Sequence, residues 1–510
     1  MRPATTESAR WRRYLSVGGW GAILTVLIVL VDGLCPASCR AEFDLFTIAG
    51  QPITITGSVR GREEVWNWFT PGKVSNGQEN NRYQFQDTYV RLGAGYEIDG
   101  VKAFVELMNP ALLNLPDNAV APPPQGQLGL GANYFQANSR RYSASVFLKQ
   151  GYLEFHDWLR KGLYFKGGRF EFADGTDLIP RDPELNWIVL TQIQQRLIGP
   201  FDYTDVARSF DGAMARYGSE TWNFTAMYGV PTKGAFDLDG MYEISHMNVV
   251  YAALNAGPNR WWGDAIGRIF YIYYDDGRGL TKVDNRPAAV LAKDHRAIDI
   301  HTSGVDFAKT VELGPGKADC LVWAAGQLGS WGEQSQEAWA ALGQVGYRFT
   351  KLPWKPWLRA GYMTTSGSGS TTGDVHGTFF QILPTARLYA LFPFYNMMNS
   401  NDLSSELILT PLANVETRTT LHGLWLSSSK DLWYQGGGAF DNRFFGYVGR
   451  PSFGHSYLAT VLDTGVTWTI NSHLRIYTYY AHAFGGSVVA ANYAVSKQAD
   501  YGYVEATVSF

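Results

Sequence analysis

The chain ends Tyr501-Gly502-Tyr503-Val504-Glu505-Ala506-Thr507-Val508-Ser509-Phe510. In an extended strand, successive side chains point to opposite faces. Gly502, Val504, Ala506, Val508 and Phe510 therefore share one face, and Tyr503, Glu505, Thr507 and Ser509 share the other. A final strand of this kind is an unpaired edge until something pairs with it. It suits a sheet that closes on itself: the strand can pair with insertion machinery first and with the first strand of the chain afterwards. An ordinary terminal strand of a secreted β-domain is the plainer alternative.

The same alternation recurs upstream. Ile53, Ile55, Gly57 and Val59 oppose Thr54, Thr56, Ser58, Arg60, Arg62 and Glu64. Val101, Ala103, Val105 and Leu107 oppose Lys102, Phe104, Glu106 and Met108. Val415, Thr417, Thr419, Leu421 and Trp425 oppose Glu416, Arg418, Thr420 and His422. Periodicity alone does not separate a barrel from a soluble sandwich, because both need one apolar face. The apolar faces carry many small residues, as in Cys320, Val322, Ala324, Gly326 and Leu328. A thin lipid-facing surface accepts these better than a densely packed core does. The chain is 15% aromatic and has 55 Gly, which suits many strands, tight turns and aromatic girdles.

Near the N-terminus, Arg10, Arg12 and Arg13 precede the short apolar run Ala22–Val31, and small residues follow. This reads as a signal peptide over 1–41, cut after Ala41, with Ala37 as a second choice. The run is shorter than the ~20 residues a spanning helix needs. Cys35 and Cys39 leave with that peptide, so Cys320 remains alone and no intrachain disulfide or Cys-based metal site is expected. The fold expected for 42–510 is all-β: one transmembrane antiparallel β-barrel in the outer membrane. The 469 residues left after the cut (510 − 41) bound it at ~16–18 strands, even in number. Long loops are expected at Leu115–Ala137, Pro180–Asp205, Asp276–Asp299 and Thr364–Gly377.

In a barrel the polar faces line a lumen, and an Arg or Lys facing mid-bilayer lipid would cost about 2–4 kcal/mol. Parity then places inward Arg60, Arg62, Glu64, Asp87, Arg91, Lys102, Glu106, Arg169, Glu171, Gln344, Arg348, Arg359, Glu416 and Arg418. Charged rings set pore selectivity by sign, and Arg suits carboxylates. The bland reading is a ladder of Arg–carboxylate pairs that fills the interior. Arg91, Arg169, Arg359 and Arg418, with Lys102, are the candidates for contact with a solute.

Several segments resemble the alginate export family of outer-membrane proteins. They are Lys166-Gly167-Gly168-Arg169-Phe170-Glu171, Asp174-Gly175, Arg208-Ser209-Phe210-Asp211-Gly212, Gly377-Thr378-Phe379-Phe380, Leu383-Pro384-Thr385, Asn399 to Asp402, Thr410-Pro411 and Asp431-Leu432-Trp433-Tyr434. The resemblance implies an 18-stranded barrel that passively exports an acidic polysaccharide past an Arg-lined constriction. Arg169 and Arg208 match family motif positions. Implied partners are the anionic polymer, outer-membrane lipid, the barrel-assembly machinery acting on the strand that ends in Phe510, and periplasmic polysaccharide-synthesis components. The chain has 46 acidic and 43 basic residues, so alginate, another anionic glycan and a neutral glycan all stay open.

Other classes find less support. No basic block exists to track a nucleic-acid backbone. No HExxH, P-loop or dinucleotide fingerprint occurs, no cofactor is implied, and no Gly-x-Ser-x-Gly leads into a helix. Glu63-Glu64 and Asp275-Asp276 are sequence neighbours on opposite strand faces, so neither pair makes an acid/base site. A non-enzymatic export channel is the leading expectation; a general or sugar-specific uptake porin is the alternative, and a soluble β-sandwich the third.

Overall fold

The computed structural model describes residues 43–48, 50–72, 81–385 and 391–510. The expected signal peptide and its cleavage position lie outside these residues. Eighteen strands form the wall. They are β1 Gln51–Asn67, β2 Arg82–Ile98, β3 Val101–Leu113, β4 Phe147–His156, β5 Leu163–Phe170 and β6 Phe210–Gly218. They continue as β7 Trp222–Pro231, β8 Met247–Ala256, β9 Ala265–Asp276, β10 Ile298–Leu313, β11 Gly316–Trp331 and β12 Gln334–Arg348. The last six are β13 Trp357–Thr365, β14 Asn401–Leu412, β15 Val415–Trp425, β16 Tyr457–Thr469, β17 Leu474–Gly485 and β18 Gln498–Ser509.

Each strand pairs antiparallel with the next, and β18 pairs with β1 from Asn67↔Asp500 to Ser58↔Ser509. The sheet is thus closed, and the only possible edges of a β-sheet are gone. Phe510 finishes the seam: its amide and carbonyl bond Gly57 at 2.9 and 2.8 Å. A Cβ on Gly57 would lie 2.4 Å from the Phe510 ring, so the seam needs a glycine there. The short strand Phe43–Ile48 doubles back on β1 beyond the seam.

Alternate connections are short: Asp99-Gly100, 157–162, 219–221, Gly314-Pro315, Ala413-Asn414 and 470–473. In outer-membrane barrels such turns are periplasmic. The opposite end carries long loops at 114–146, 171–209, 277–297, 366–400 and 426–456. The first four match the expected loops, except that 276, 298–299 and 364–365 belong to the flanking strands and 366–400 runs well past Gly377; the fifth was not anticipated.

Burial confirms the faces. Val105, Leu107, Val322, Leu328 and Leu421 are exposed on the outside, while Glu106, Met108, Trp323, Thr420 and His422 are buried on the inside. Cys320 shares the outward face with Val322. Side chains inside the barrel are buried because three long loops, 171–209, 366–400 and 426–456, fold into it. Their aromatics pack on the wall and on one another: Phe392 on Trp66 and Tyr501 and Phe380 on Tyr274 of the wall, and Phe394 on Phe69 just past β1 and on Trp433 of loop 426–456. The stretch Phe392-Pro393-Phe394-Tyr395, whose place the sequence left open, is part of this lumen filling.

Candidate functional site: the charged lumen

The inner wall carries a belt of cations. Arg268, Lys317, Arg348, Arg359, Arg418 and Arg475 each lie within four residues of the short-turn end of their strands. Arg60 and Arg62 on β1 and Arg91 on β2 continue the belt across the seam, opposite Thr507, Glu505 and Ser58. Lys149 joins it through a bulge in β4, where the register to β3 shifts between Glu106 and Leu107. A bulge adds one residue to a strand and re-aims its side chains. Here it lets Lys149 and Gln150 both reach carboxylates of the lumen.

Nearly all these cations have carboxylate partners. Arg62 bonds Glu505 at 2.6 Å and Glu64 at 3.1 Å, and its guanidinium lies 4.3 Å from the Tyr203 ring centre. Arg91 holds Glu106 at 2.6 Å and Glu171 at 2.9 Å. Arg359 holds Asp319 at 3.1 Å and Glu406 at 3.6 Å, and its guanidinium lies 5.3 and 5.5 Å from the ring centres of Trp187 and Trp357. Arg418 pairs with Glu406 and lies 5.5 Å from the ring centre of Trp187. Burying an unpaired guanidinium would be costly, so a filled lumen demands such pairs.

The loop 171–209 supplies many of the partners and acts as a strap along the wall. Glu171 reaches Arg91 and Lys149, Asp174 reaches Arg268 at 3.3 Å, and Asp182 pairs with Lys317. Glu184 bonds Lys317 at 3.2 Å and Arg348 at 2.8 Å, and Asp205 bonds Arg60 at 2.7 Å. Asp182 also caps the short helix Pro183–Ile188 by accepting from the Leu185 amide at 2.9 Å; Pro183 at the first helical position suits that start. Burial opposes the charged form of Asp182, but bonds from Lys317, the Leu185 amide and Thr310 outweigh it and hold the carboxyl below its ordinary range. Glu171 is likewise held low: burial opposes ionisation, and Arg91 and Lys149 prevail.

The three inward loops are knitted together at the segments that carried the family resemblance. Asp431 accepts from the Thr378 hydroxyl at 2.5 Å, the Ser368 amide at 2.8 Å and the Tyr434 hydroxyl at 2.8 Å. Thr385 accepts from the Phe201 amide at 2.8 Å, and the Leu383 amide donates to the Leu197 carbonyl at 2.8 Å. Asn399 donates to the carbonyls of Ser428 and Leu432, both at 3.0 Å. These residues hold loop to loop.

The sequence-derived candidates divide. Arg91 lines a cavity of about 430 Å³ at the short-turn end together with Arg60, Tyr89, His473, Arg475 and Glu505. Arg359 and Arg418 border a pocket of about 40 Å³ with Gln192, Asp402 and His422. Lys102 lines a cavity of about 490 Å³ farther out on β1–β3, where it lies over Phe104. Arg169 does not join them. Its neighbours Gly168 and Phe170 have the inward parity of β5, and Phe170 is fully buried in the core. Arg169 therefore points outward and makes a two-bonded pair with Asp211 at 2.7 Å, beside Met241. The expected shared face of Arg169 and Glu171 is broken because the strand stops at Phe170 and the chain turns Glu171 into the lumen. Arg208 is buried at the strap's end and donates to the Gly437 carbonyl at 2.9 Å. With no carboxylate beside it, burial pushes its pKa down to about 10. It pins two loops together.

Sequence reasoning missed Arg475 and His473, which border the first cavity, and the strap carboxylates as partners of the belt. Arg475 carried a legible signal, since it shares the parity of Tyr477 and Tyr479. The strap carried none. Among the described residues no group of His, Cys, Asp and Glu is placed to hold a metal ion.

Solved structures share the architecture. A BenF-like porin from Pseudomonas fluorescens Pf-5 aligns with a TM-score of 0.55 at 9% identity, over 90% of this chain and 98% of its own. OccK9 (OpdG) of Pseudomonas aeruginosa aligns with a TM-score of 0.51 at 10% identity, over 90% and 98%. The outer membrane protein OpdK of Pseudomonas aeruginosa gives 0.51 at 8%, over 89% and 98%. At such identities these likenesses show the fold: an 18-stranded outer-membrane barrel. No curated protein matches the chain in sequence. The alginate export family model matches residues 53–501, and the chain belongs to that family of outer-membrane β-barrel channels.

Proposed function

We propose that this barrel passively lets an anionic polysaccharide, alginate or a polymer like it, leave the cell. The polymer's carboxylates would move along the basic belt, meeting Lys102 at the periplasmic rim beside the Asp99-Gly100 turn, with Arg60, Arg91 and Arg475 near it and Arg359 and Arg418 beyond. The observation that carries the reading is the cation-lined cavity of about 430 Å³ that opens at the short-turn end. Guanidinium groups suit carboxylates, and Arg62, Arg91 and Arg359 each donate two hydrogen bonds to one carboxylate here. Removal of a signal peptide at 1–41, insertion through β18 by the barrel-assembly machinery, and delivery of polymer by periplasmic synthesis components belong to the same reading.

The test is single-channel conductance of the refolded mature chain in planar bilayers, with polyuronate and with neutral dextran. Block by polyuronate and not by dextran is expected; conductance indifferent to polyuronate would overturn the proposal. A second reading is uptake of small carboxylates. It is favoured by the narrow pocket of about 40 Å³ beside Arg359 and by the likeness in fold to OpdK, which has been solved with vanillate. It expects a small aromatic carboxylate, and no polymer, to alter the current.

A further inference from the structure

The strap brings five carboxylates to the belt: Glu171, Asp174, Asp182, Glu184 and Asp205. Its partners are of two kinds. Arg60, Arg91 and Arg268 also have carboxylates on the wall itself, namely Glu505, Glu106 and Asp306. Lys149, Lys317 and Arg348 have none within 4 Å among the described residues; their only carboxylates are those of the strap. The strap thus presents a row of carboxylates on one chain to a row of cations on the wall. A polyuronate would present the same chemistry: one carboxylate per sugar on a flexible polymer.

We propose that the strap is a built-in stand-in for the polyanion. It occupies Lys149, Lys317 and Arg348 in the resting channel, and an incoming polymer takes its place by exchanging carboxylates. The inference rests on the polymer-export reading. It adds that export begins with displacement of the strap, and it names Lys149, Lys317 and Arg348 as the cations that change partners. Exchange of one carboxylate for another leaves no cation uncompensated at any step, which is the costly alternative in a low-dielectric lumen. The strap's hydrogen bonds to the wall are mostly made by side chains, so its carboxylate-bearing half can leave without breaking a strand ladder of the wall, while backbone bonds of 195–199 to 383–385 keep its far half on the neighbouring loop.

The test uses the full-length barrel carrying Asp182→Asn and Glu184→Gln, with folding checked by the usual shift of a heated barrel on gels. With the competitor neutralised, polyuronate should block at lower concentration, about fivefold per pair removed if each pair is worth about 1 kcal/mol. Resting conductance should rise as well. If polyuronate blocks the native barrel and the variant blocks at the same or higher concentration, the strap only braces the wall and the proposal falls. If polyuronate blocks neither, the export reading itself has failed, and this inference with it. Should the variant not fold, hydrogen exchange on the native barrel decides: faster exchange across 171–209 on adding polyuronate supports displacement, and unchanged exchange overturns it.

Discussion

At the scale of single residues, the lumen separates cations held from both sides from cations that still meet solvent. Arg62 is nearly inaccessible and is held by Glu505 and Glu64. Arg62→Ala takes from buried Glu64 its cation and leaves Glu505 only Arg60 and Arg475, each at 3.8 Å, and should cost about 3–5 kcal/mol of stability, read as a lower denaturant midpoint of the reconstituted barrel. Arg475 is more than half exposed and lies 3.8 Å from Glu505. Arg475→Gln should leave stability within about 0.5 kcal/mol while shifting the reversal potential of the open channel away from anion preference. Arg169→Gln should change neither current nor selectivity, since its side chain is outside the lumen. Alternation made most of these faces legible: Arg60, Arg62, Glu106 and His422 sit where parity puts them. It failed at Arg169, to which it gives the face of Glu171: Glu171 does enter the lumen, but from beyond the strand's end, where parity no longer links the two.

At the scale of elements, the strap decides how much of the lumen is open. Its carboxylates Asp182 and Glu171 are held below their ordinary range. A depressed carboxyl stabilises the folded arrangement above its unfolded value, about 4, and that contribution is lost as pH falls through the lower folded value. Through these two carboxylates docking should weaken below about pH 4, seen as rising conductance on acidification, whereas Asp174, whose carboxyl burial pushes up, acts in the opposite sense. Replacement of 176–195 by a flexible Gly/Ser linker should open the channel at every pH. None of this was readable in advance. The sequence marked Pro180–Asp205 as a long loop, and loops that pack on one another inside a barrel leave no periodic signature. Phe392, Phe394 and Trp433 look the same in sequence whether they belong to a girdle or a plug.

At the scale of the whole molecule, closure explains why the balance of 46 acidic and 43 basic residues is compatible with a strongly charged interior. Strap and wall neutralise each other, so net composition says little about what the belt would attract once uncovered. Length bounded the strand count at ~16–18 and the resemblance implied 18, while the faces, Arg169 apart, and the family were legible because each depends on local alternation or short motifs. The path through the barrel was not, because it depends on contacts between loops far apart in sequence. The outward position of Cys320 gives a direct check on the wall: a membrane-permeant maleimide should label it in bilayers, and a charged, water-soluble one should not.

The strands of this wall are unequal. β5 has 8 residues and β1 and β2 have 17. At ~3.3 Å per residue and a tilt of about 40°, the low flank at β5 spans about 20 Å, short of the roughly 25 Å apolar band typical of such barrels. Lipid against that flank must thin, or the barrel must lean until its low side is covered. Polarised infrared dichroism of oriented bilayers should find the barrel axis off the membrane normal in thick-chain lipids and closer to upright in thin ones. A leaning channel would deliver its cargo at a slant to the cell surface, toward the side of its lower rim.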